Sequence, residues 1–291
     1  MSDLVWLASY PKSGNTWFRM LVASLSVEDG NLDINRLPES AGLAGDRAAF
    51  DAITLIESAL LLDEEIDCLR PRVYEALAKT AVENRATHNG PRLMKVHDAY
   101  VLTPKGEPLL KGADAAIVIV RDPRDVAVSL AHHTGRSIDD AIAFMATPNA
   151  AFGANGRGQP SQIRQTILSW KDHVASWLDQ QDIPIYLARY EDMSADTVRV
   201  FRTAMQFAGR DVSPDEAARA VKLASFGNLQ AQERAAGFGE HLIAQGLFFR
   251  EGRVGGWRQQ LTTEQASRIE KDHESTMARM GYLHASASSY G

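Results

Sequence analysis

Cysteine is nearly absent from this 291-residue chain: Cys68 stands alone, so an intrachain disulfide framework is excluded and the composition fits a reducing compartment. No apolar run is long enough to cross a bilayer, and the start shows neither a basic stretch nor an apolar leader. The expectation is a cytoplasmic protein with no membrane partner. Positive charge is not in excess either, since 31 Lys and Arg stand against 37 Asp and Glu, a formal net charge of −6. That balance argues against a general nucleic-acid partner. Repeats and long low-complexity tracts are missing, and the Gly-rich stretch at residues 153–158 is too short for a linker and reads as a loop. Metal-ligand spacing is lacking as well. His132 and His133 are adjacent and would diverge on a helix, and His273-Glu274 is not followed by the second histidine of H-E-x-x-H. No metal is expected.

What is present is an ordinary globular composition, 45% hydrophobic and 23% charged, ample for a large core. Residues 4–9 are an apolar run that stops at the turn-forming Tyr10-Pro11-Lys12-Ser13-Gly14, and residues 16–25 resume with helical spacing. Residues 115–120 have the length and β-branching of a buried parallel strand, followed by a helix with Pro123 near its start. Residues 183–188 are a third strand candidate and 93–96 a weaker one. Amphipathic helices are predicted around 73–84, 162–180 and 197–208. Short strands alternating with helices predict an α/β fold: a single domain over residues 1–284, a central parallel sheet flanked by helices in a P-loop-like nucleotide-binding architecture, and a short tail at 285–291. In such a sheet ligands gather outside the carboxyl ends of the strands, so the residues after Ser9, Val96, Val120 and Ala188 are the place to look.

The first of these loops has the physics of a phosphate cradle. Glycine permits a close turn, backbone amides face the ligand, the helix N-terminus carries partial positive charge, and Lys12 adds a formal one. It is not a Walker A loop, because Lys12 precedes Gly14 instead of following the last glycine. After the second strand, Arg121 offers paired donors and Ser129 a hydroxyl one helical stretch later, a pairing that suits a phosphate dianion. In Arg250-Glu251-Gly252 a glycine again permits close backbone approach.

Taken together these segments are familiar. Tyr10 to Trp17 (YPKSGNTW) closely resembles the 5′-phosphosulfate loop of the sulfotransferases that use 3′-phosphoadenosine 5′-phosphosulfate (PAPS), commonly Y-P-K-S-G-T-T-W. Arg121 to Ser129 (RDPRDVAVS) resembles that family's 3′-phosphate segment, and Phe249 to Trp257 (FREGRVGGW) its R-K-G-x-x-G-D-W loop. The three motifs keep the family's order over roughly residues 4–270. Three positions depart from it: Glu251 where the family usually has Lys, Gly256 where it often has Asp, and Asn15 in place of Thr, a mild change that keeps a hydrogen-bonding side chain.

The resemblance implies a sulfotransferase that moves a sulfuryl group from PAPS to a small-molecule acceptor and releases PAP. Lys95-Val96-His97 is similar to the family's K-T-H segment, so His97 is implied as general base, with Lys12 and Lys95 on the sulfuryl or bridging oxygens. Of the eight histidines, His97 alone directly follows a candidate strand. The nucleotide is implied to lie on Lys12, Ser13, Gly14, Asn15, Thr16 and Trp17, with its 3′-phosphate on Arg121, Ser129, Arg250, Glu251 and Gly252. Tyr190, Ser225 and Phe226 join Trp17 around the adenine.

Two rival readings are a P-loop-related nucleotide kinase, in which Asp122 and Asp125 would hold Mg²⁺, and a nucleotide-binding module without catalysis. The order of Lys12 and Gly14 opposes the first, and the joint presence of Lys12, Lys95 and His97 opposes the second. The acceptor is expected to offer a phenolic or alcoholic hydroxyl, less readily an amine, in a pocket drawn from residues 36–70, 132–165 and 230–248. Phe144, Phe152, Phe238 and Phe248 are candidate apolar walls there. A homo-oligomer is possible, but Thr263 and Ser267 depart from the K-x-x-x-T-V-x-x-x-E dimer motif of cytosolic relatives.

Overall fold

The apolar strands assemble as their composition demands, into a sheet buried on both faces. The computed structural model describes residues 3–27, 32–37, 42–83, 90–153, 161–240, 246–250 and 252–283. The first part of the chain forms β1 (Leu4–Ser9), α1 (Asn15–Ser24), α2 (Arg47–Thr54), α3 (Asp63–Glu83), β2 (Arg92–Val96), β3 (Ala115–Val120), α4 (Pro123–Thr134) and α5 (Ile138–Ala146). It continues with β4 (Ala151–Phe152), β5 (Gln165–Thr166), α6 (Trp170–Asp179), β6 (Ile185–Arg189) and α7 (Tyr190–Ala195). The last elements are α8 (Thr197–Phe207), α9 (Pro214–Leu223), α10 (Phe226–Ala236) and α11 (Thr263–Arg279). Strands β2-β1-β3-β6 form one parallel sheet in that order, and β4 and β5 a short antiparallel pair.

Every residue of β1 and β3 is buried, and alternate residues serve opposite faces. Leu4, Trp6, Ala8, Ala116, Val118 and Val120 pack beneath α3, α4, α6 and α11; Val5, Leu7, Ile117 and Ile119 pack beneath α1, α8 and α9. Two core layers with helices over each explain why these strands read as continuous apolar runs and not as alternating ones. No described helix is long and apolar enough to cross a membrane.

Three elements differ from the sequence expectation. The helix predicted over 162–180 is confined to α6, because Leu168 turns with φ 61° and Ser169 caps the helix by accepting from Asp172 N. Ile163, Ile167, Trp170, Val174 and Trp177 are all buried, so helix-like spacing arose from a short strand followed by a helix. The helix predicted from residue 73 begins ten residues earlier, with Pro71 accommodated inside it. β6 lies two residues later than predicted at its start, at Ile185. Residues 154–158 of the Gly-rich loop and the tail at 285–291 lie outside the described residues.

Candidate active site

β1 is flanked by β2 on one side and β3 on the other, so the chain leaves it in both directions and a crevice opens at its carboxyl end. The loops after β1, β2 and β3, the start of α7 and the segment before the 3-10 turn at Gly256–Gln259 surround a cavity of ≈ 620 Å³.

The loop after β1 is held in a shape few residues adopt. Lys12 has φ 69° and Gly14 φ 108°. A Cβ on Gly14 would stand 2.6 Å from Tyr190 Cδ2, so both the backbone angle and the approach of the ring require glycine. Asn15 Nδ2 donates to Leu7 O at 2.8 Å and to Ser9 Oγ at 3.2 Å, tying the loop to the strand. Asn15 Oδ1 and Ser13 Oγ are buried without a hydrogen-bond partner among the described residues, and Ser13 does not line the cavity. Asn15 and Thr16 open α1, whose N-terminal amides suit an anion. Lys12 Nζ lies 3.8 Å from the centroid of the Phe248 ring. Burial, then the Lys95 and Arg121 cations, pushes its pKa down to about 7.

Immediately after Val96, the last residue of β2, His97 lines the same cavity. Its Nδ1 is 2.8 Å from Ser9 O, a carbonyl that can only accept, so Nδ1 carries the hydrogen and Nε2 the lone pair. Burial, followed by the Lys95 cation, holds His97 well below the usual histidine range, so it is neutral at pH 7. Lys95 Nζ is 3.1 Å from Glu240 Oε2, and Glu240 Oε1 also meets Arg19 NH1 at 2.5 Å. The backbone of Lys95 is fixed from its far side, accepting from Ala44 N at 2.9 Å and donating to Gly42 O at 2.8 Å.

The turn after His97 is clamped by a buried ion pair. Asp98 and Arg70 have side-chain exposures of 1% and 0% and meet through NH1 at 2.9 Å and NH2 at 2.5 Å. Arg70 Nε donates to Tyr74 OH, and Asp98 Oδ1 accepts from Thr166 N at 2.7 Å. Because Thr166 belongs to β5, whose partner β4 carries Phe152, the clamp joins His97 to the far wall of the cavity.

At the other end, Arg121 donates to Lys12 O at 3.3 Å and Arg253 O at 3.0 Å and covers the Tyr190 ring at 4.2 Å, while its Nε is buried without a partner among the described residues. Ser129 on α4 lines the cavity. Arg250 NH1 donates to His132 Nε2 at 2.9 Å and Gln260 Oε1 at 3.0 Å. Gly252 has φ 59°, and a Cβ there would meet the Phe226 ring at 2.8 Å. Tyr190 OH donates to Gly252 O at 2.8 Å. Asp125 accepts from Gly255 N at 2.7 Å and Trp257 N at 2.9 Å, fastening this loop to α4. Trp17 stands edge-on to Tyr190, with ring centroids 5.7 Å apart. Ser225 occupies the N-cap position of α10 and does not line the cavity. Glu251 lies outside the described residues.

Lys12, Gly14, Asn15, Thr16, Trp17, Lys95, His97, Arg121, Ser129, Tyr190, Phe226, Arg250 and Gly252 thus meet around one cavity. The carboxylates of the kinase reading are engaged elsewhere: Asp122 is held by Arg124 at 2.7 Å, and Asp125 by the two amides. No group of three or more His, Cys, Asp or Glu placed to hold a metal occurs among the described residues. Phe144 and Phe152 stack at 5.3 Å and 7° and line the cavity with Leu43 and Ile163, while Phe248 lines it beside Lys12. Phe238 instead is buried in the core against Phe248 and Phe249.

Sequence reasoning missed Arg19, Glu240 and the Arg70–Asp98 clamp. Arg19 gave one usable signal, a charged residue within the otherwise apolar run from Trp17 to Ala23. Glu240 gave none, being 221 residues from its partner.

Comparison with known proteins places these features in context. Residues 2–281 match the family described as Sulfotransferase domain. The chain is 25% identical to the amine sulfotransferase of Oryctolagus cuniculus over 284 residues, covering 94% of this chain and 81% of that one. It is 24% identical to Sulfotransferase 2A6 of Rattus norvegicus, with 95% and 84% covered, and 26% identical to the luciferin sulfotransferase of Photinus pyralis, with 90% and 68% covered. Among solved structures, mouse sulfotransferase SULT7A1 complexed with PAP superimposes with a TM-score of 0.59 at 20% identity, over 97% of this chain and 86% of that one. Retinol dehydratase in a complex with retinol and PAP gives 0.58 at 19% identity, over 95% and 81%.

Proposed function

The chain belongs to the sulfotransferase family and is a PAPS-dependent sulfotransferase, and from that premise we propose that it sulfates a hydroxyl of a small-molecule acceptor with His97 as general base. The observation that carries this reading is the 2.8 Å contact of His97 Nδ1 with Ser9 O: an acceptor-only carbonyl there assigns the hydrogen to Nδ1 and leaves the Nε2 lone pair for the acceptor's proton.

The residues fit the donor on their own terms. Asn15 Oδ1 and Arg121 Nε, on residues that line the cavity, are buried polar atoms without partners among the described residues, and Gly14 and Gly252 keep the backbone open where a Cβ would clash. The 5′ end lies on the donor loop and the α1 amides, the 3′-phosphate on Arg121, Ser129, Arg250 and Gly252, and the adenine against Trp17, Tyr190 and Phe226. PAPS, when bound, supplies the sulfuryl group. Lys12 meets negative charge at the 5′ end, Lys95 faces the group in transfer, and Nε2 receives the proton that the acceptor oxygen gives up. A preorganised cation at such a position is worth ~10²–10³ in rate, by analogy with an oxyanion donor.

The acceptor lies against Phe144, Phe152, Ile163 and Phe248, walls that suit an apolar molecule with one reactive oxygen. The domain is proposed to span residues 1–284, in a cytoplasmic setting that rests on the one free thiol, Cys68.

The test compares thermal stabilisation by PAP with that by ATP and Mg²⁺, then follows transfer from labelled PAPS to a panel of phenols, alcohols and amines. His97→Ala should lose ~10²–10⁴ in turnover while PAP still stabilises it. Full activity in that variant would remove the base assignment, and transfer to amines alone would replace the acceptor class.

A further inference from the structure

We propose that Glu240 is a positioning residue of the catalytic centre: by bridging Arg19 and Lys95 it holds the Lys95 ammonium on the cavity wall. This inference rests on the role given to Lys95 above.

The geometry is specific. Glu240 lines the cavity together with Lys12, Lys95 and His97. Each of its carboxylate oxygens takes a different cation, Oε1 that of Arg19 at 2.5 Å and Oε2 that of Lys95 at 3.1 Å. Arg19 projects from α1, the helix that opens on the donor loop, and Lys95 from β2, so one carboxylate joins the two elements that carry the site. Its own segment is pinned from the outside: Asn35 Nδ2 donates to Gly237 O at 3.1 Å, and Asn35 Oδ1 accepts from Gly239 N at 2.8 Å.

Electrostatics give the bridge its consequence. The charged and titratable groups around Lys95 are Arg19 on α1, Lys12 on the donor loop, His97 beyond β2, and Glu240. Burial lowers the Lys95 pKa and Arg19 lowers it further, while Glu240 raises it. Without the carboxylate, Lys95 would face two cations in a desolvated cavity and lose its proton nearer neutrality, taking charge away from the sulfuryl position.

Glu240→Gln tests this through turnover against pH and through the Lys95 titration, read by NMR on isotope-labelled lysine and assigned by its loss in Lys95→Arg. The titration needs no acceptor; turnover uses whichever panel acceptor reacts. Lys95 should titrate at lower pH in Glu240→Gln than in the parent, and turnover should fall about tenfold per pH unit above that midpoint. Glu240→Asp should retain part of the loss. An unmoved Lys95 titration overturns the proposal. Lys95→Met tests the role on which it rests: if that variant turns over normally the role of Lys95 fails, whereas if it is impaired, parental turnover of Glu240→Gln across the range also overturns the proposal. Should Glu240→Gln fold poorly because Arg19 loses its ion pair, the variant combining Arg19→Met with Glu240→Gln removes that charge, and the loss of turnover at high pH must persist in it, reduced because Arg19 itself lowers the Lys95 pKa.

Discussion

Proton uptake on PAP binding is the sharpest consequence of the donor loop. The Glu240 and Glu233 carboxylates compensate Lys12 less than burial, Lys95 and Arg121 oppose its charge, and its pKa comes down to about 7. A bound phosphate dianion reverses that balance and keeps Lys12 protonated in the complex. The free protein must therefore gain a proton to bind whenever the pH exceeds 7. With a free pKa of about 7, the dissociation constant should exceed its plateau by about 2-fold at pH 7, about 11-fold at pH 8 and about 100-fold at pH 9. The phosphate groups of PAP titrate near pH ~6, so above pH 7 the ligand contributes no slope of its own. Calorimetry in two buffers of different ionisation enthalpy reads the protons directly and should find about 0.9 taken up per PAP at about pH 8 from Lys12. Lys95, also lowered by burial, adds to this at higher pH. Lys12→Arg is the internal control, because a guanidinium stays charged throughout and should flatten the Lys12 part of the profile. A dissociation constant that is flat between pH 7 and 9, with no buffer-dependent heat, would refute the assignment of Lys12 to the phosphate site.

Three other perturbations report on separate parts of the site. Arg121→Ala removes charge-assisted bonds from the 3′-phosphate and should narrow the preference for PAP over AMP by ~10–100-fold in competition binding; an unchanged preference would remove Arg121 from that site. Gly14→Ala forces an L-residue to φ 108° and drives its Cβ to 2.6 Å from Tyr190 Cδ2, so thermal unfolding should show a loss of about 1–3 kcal/mol and PAP should bind more weakly. Arg70→Met leaves the Asp98 carboxylate buried without its main partner and should cost about 3–5 kcal/mol in denaturant unfolding. Adding Asp98→Leu should recover most of that loss, short of about 1–3 kcal/mol for the orphaned Thr166 amide.

The sheet was legible because parallel strands buried on both faces have a composition little else shares, and β1 and β3 end at turn residues that mark the ligand side. The cradle was legible for a similar reason: Lys12, Ser13 and Gly14 are adjacent in sequence, and local geometry is written locally. The helix predicted across 162–180 shows the limit of that rule. Ile163, Ile167 and Trp170 follow helical spacing, yet the left-handed turn at Leu168 separates the two isoleucines that flank β5 from the helix that begins at Trp170, and periodicity carries no information about a single dihedral. The Arg70–Asp98 pair was illegible for a different reason. Its members lie 28 residues apart on elements whose packing is decided by the whole core, and each alone resembles an ordinary surface charge.

The same distinction explains how an acidic protein builds a site for a polyanion. The formal charge of −6 describes the surface as a whole, whereas Lys12, Lys95, Arg121 and Arg250 all line a single cavity. Two of the carboxylates that line it, Asp125 and Glu240, do not cancel them. Asp125 is spent on the amides of Gly255 and Trp257, where it shapes the 3′ loop, and Glu240 is shared between Lys95 and Arg19. Both carboxylates therefore hold donors in place without occupying the space a phosphate needs. Phe144, Phe152 and Ile163 line the same cavity and give a charged ligand nothing to replace its water. Under the proposed function the nucleotide would therefore take the cations and a neutral acceptor the rings.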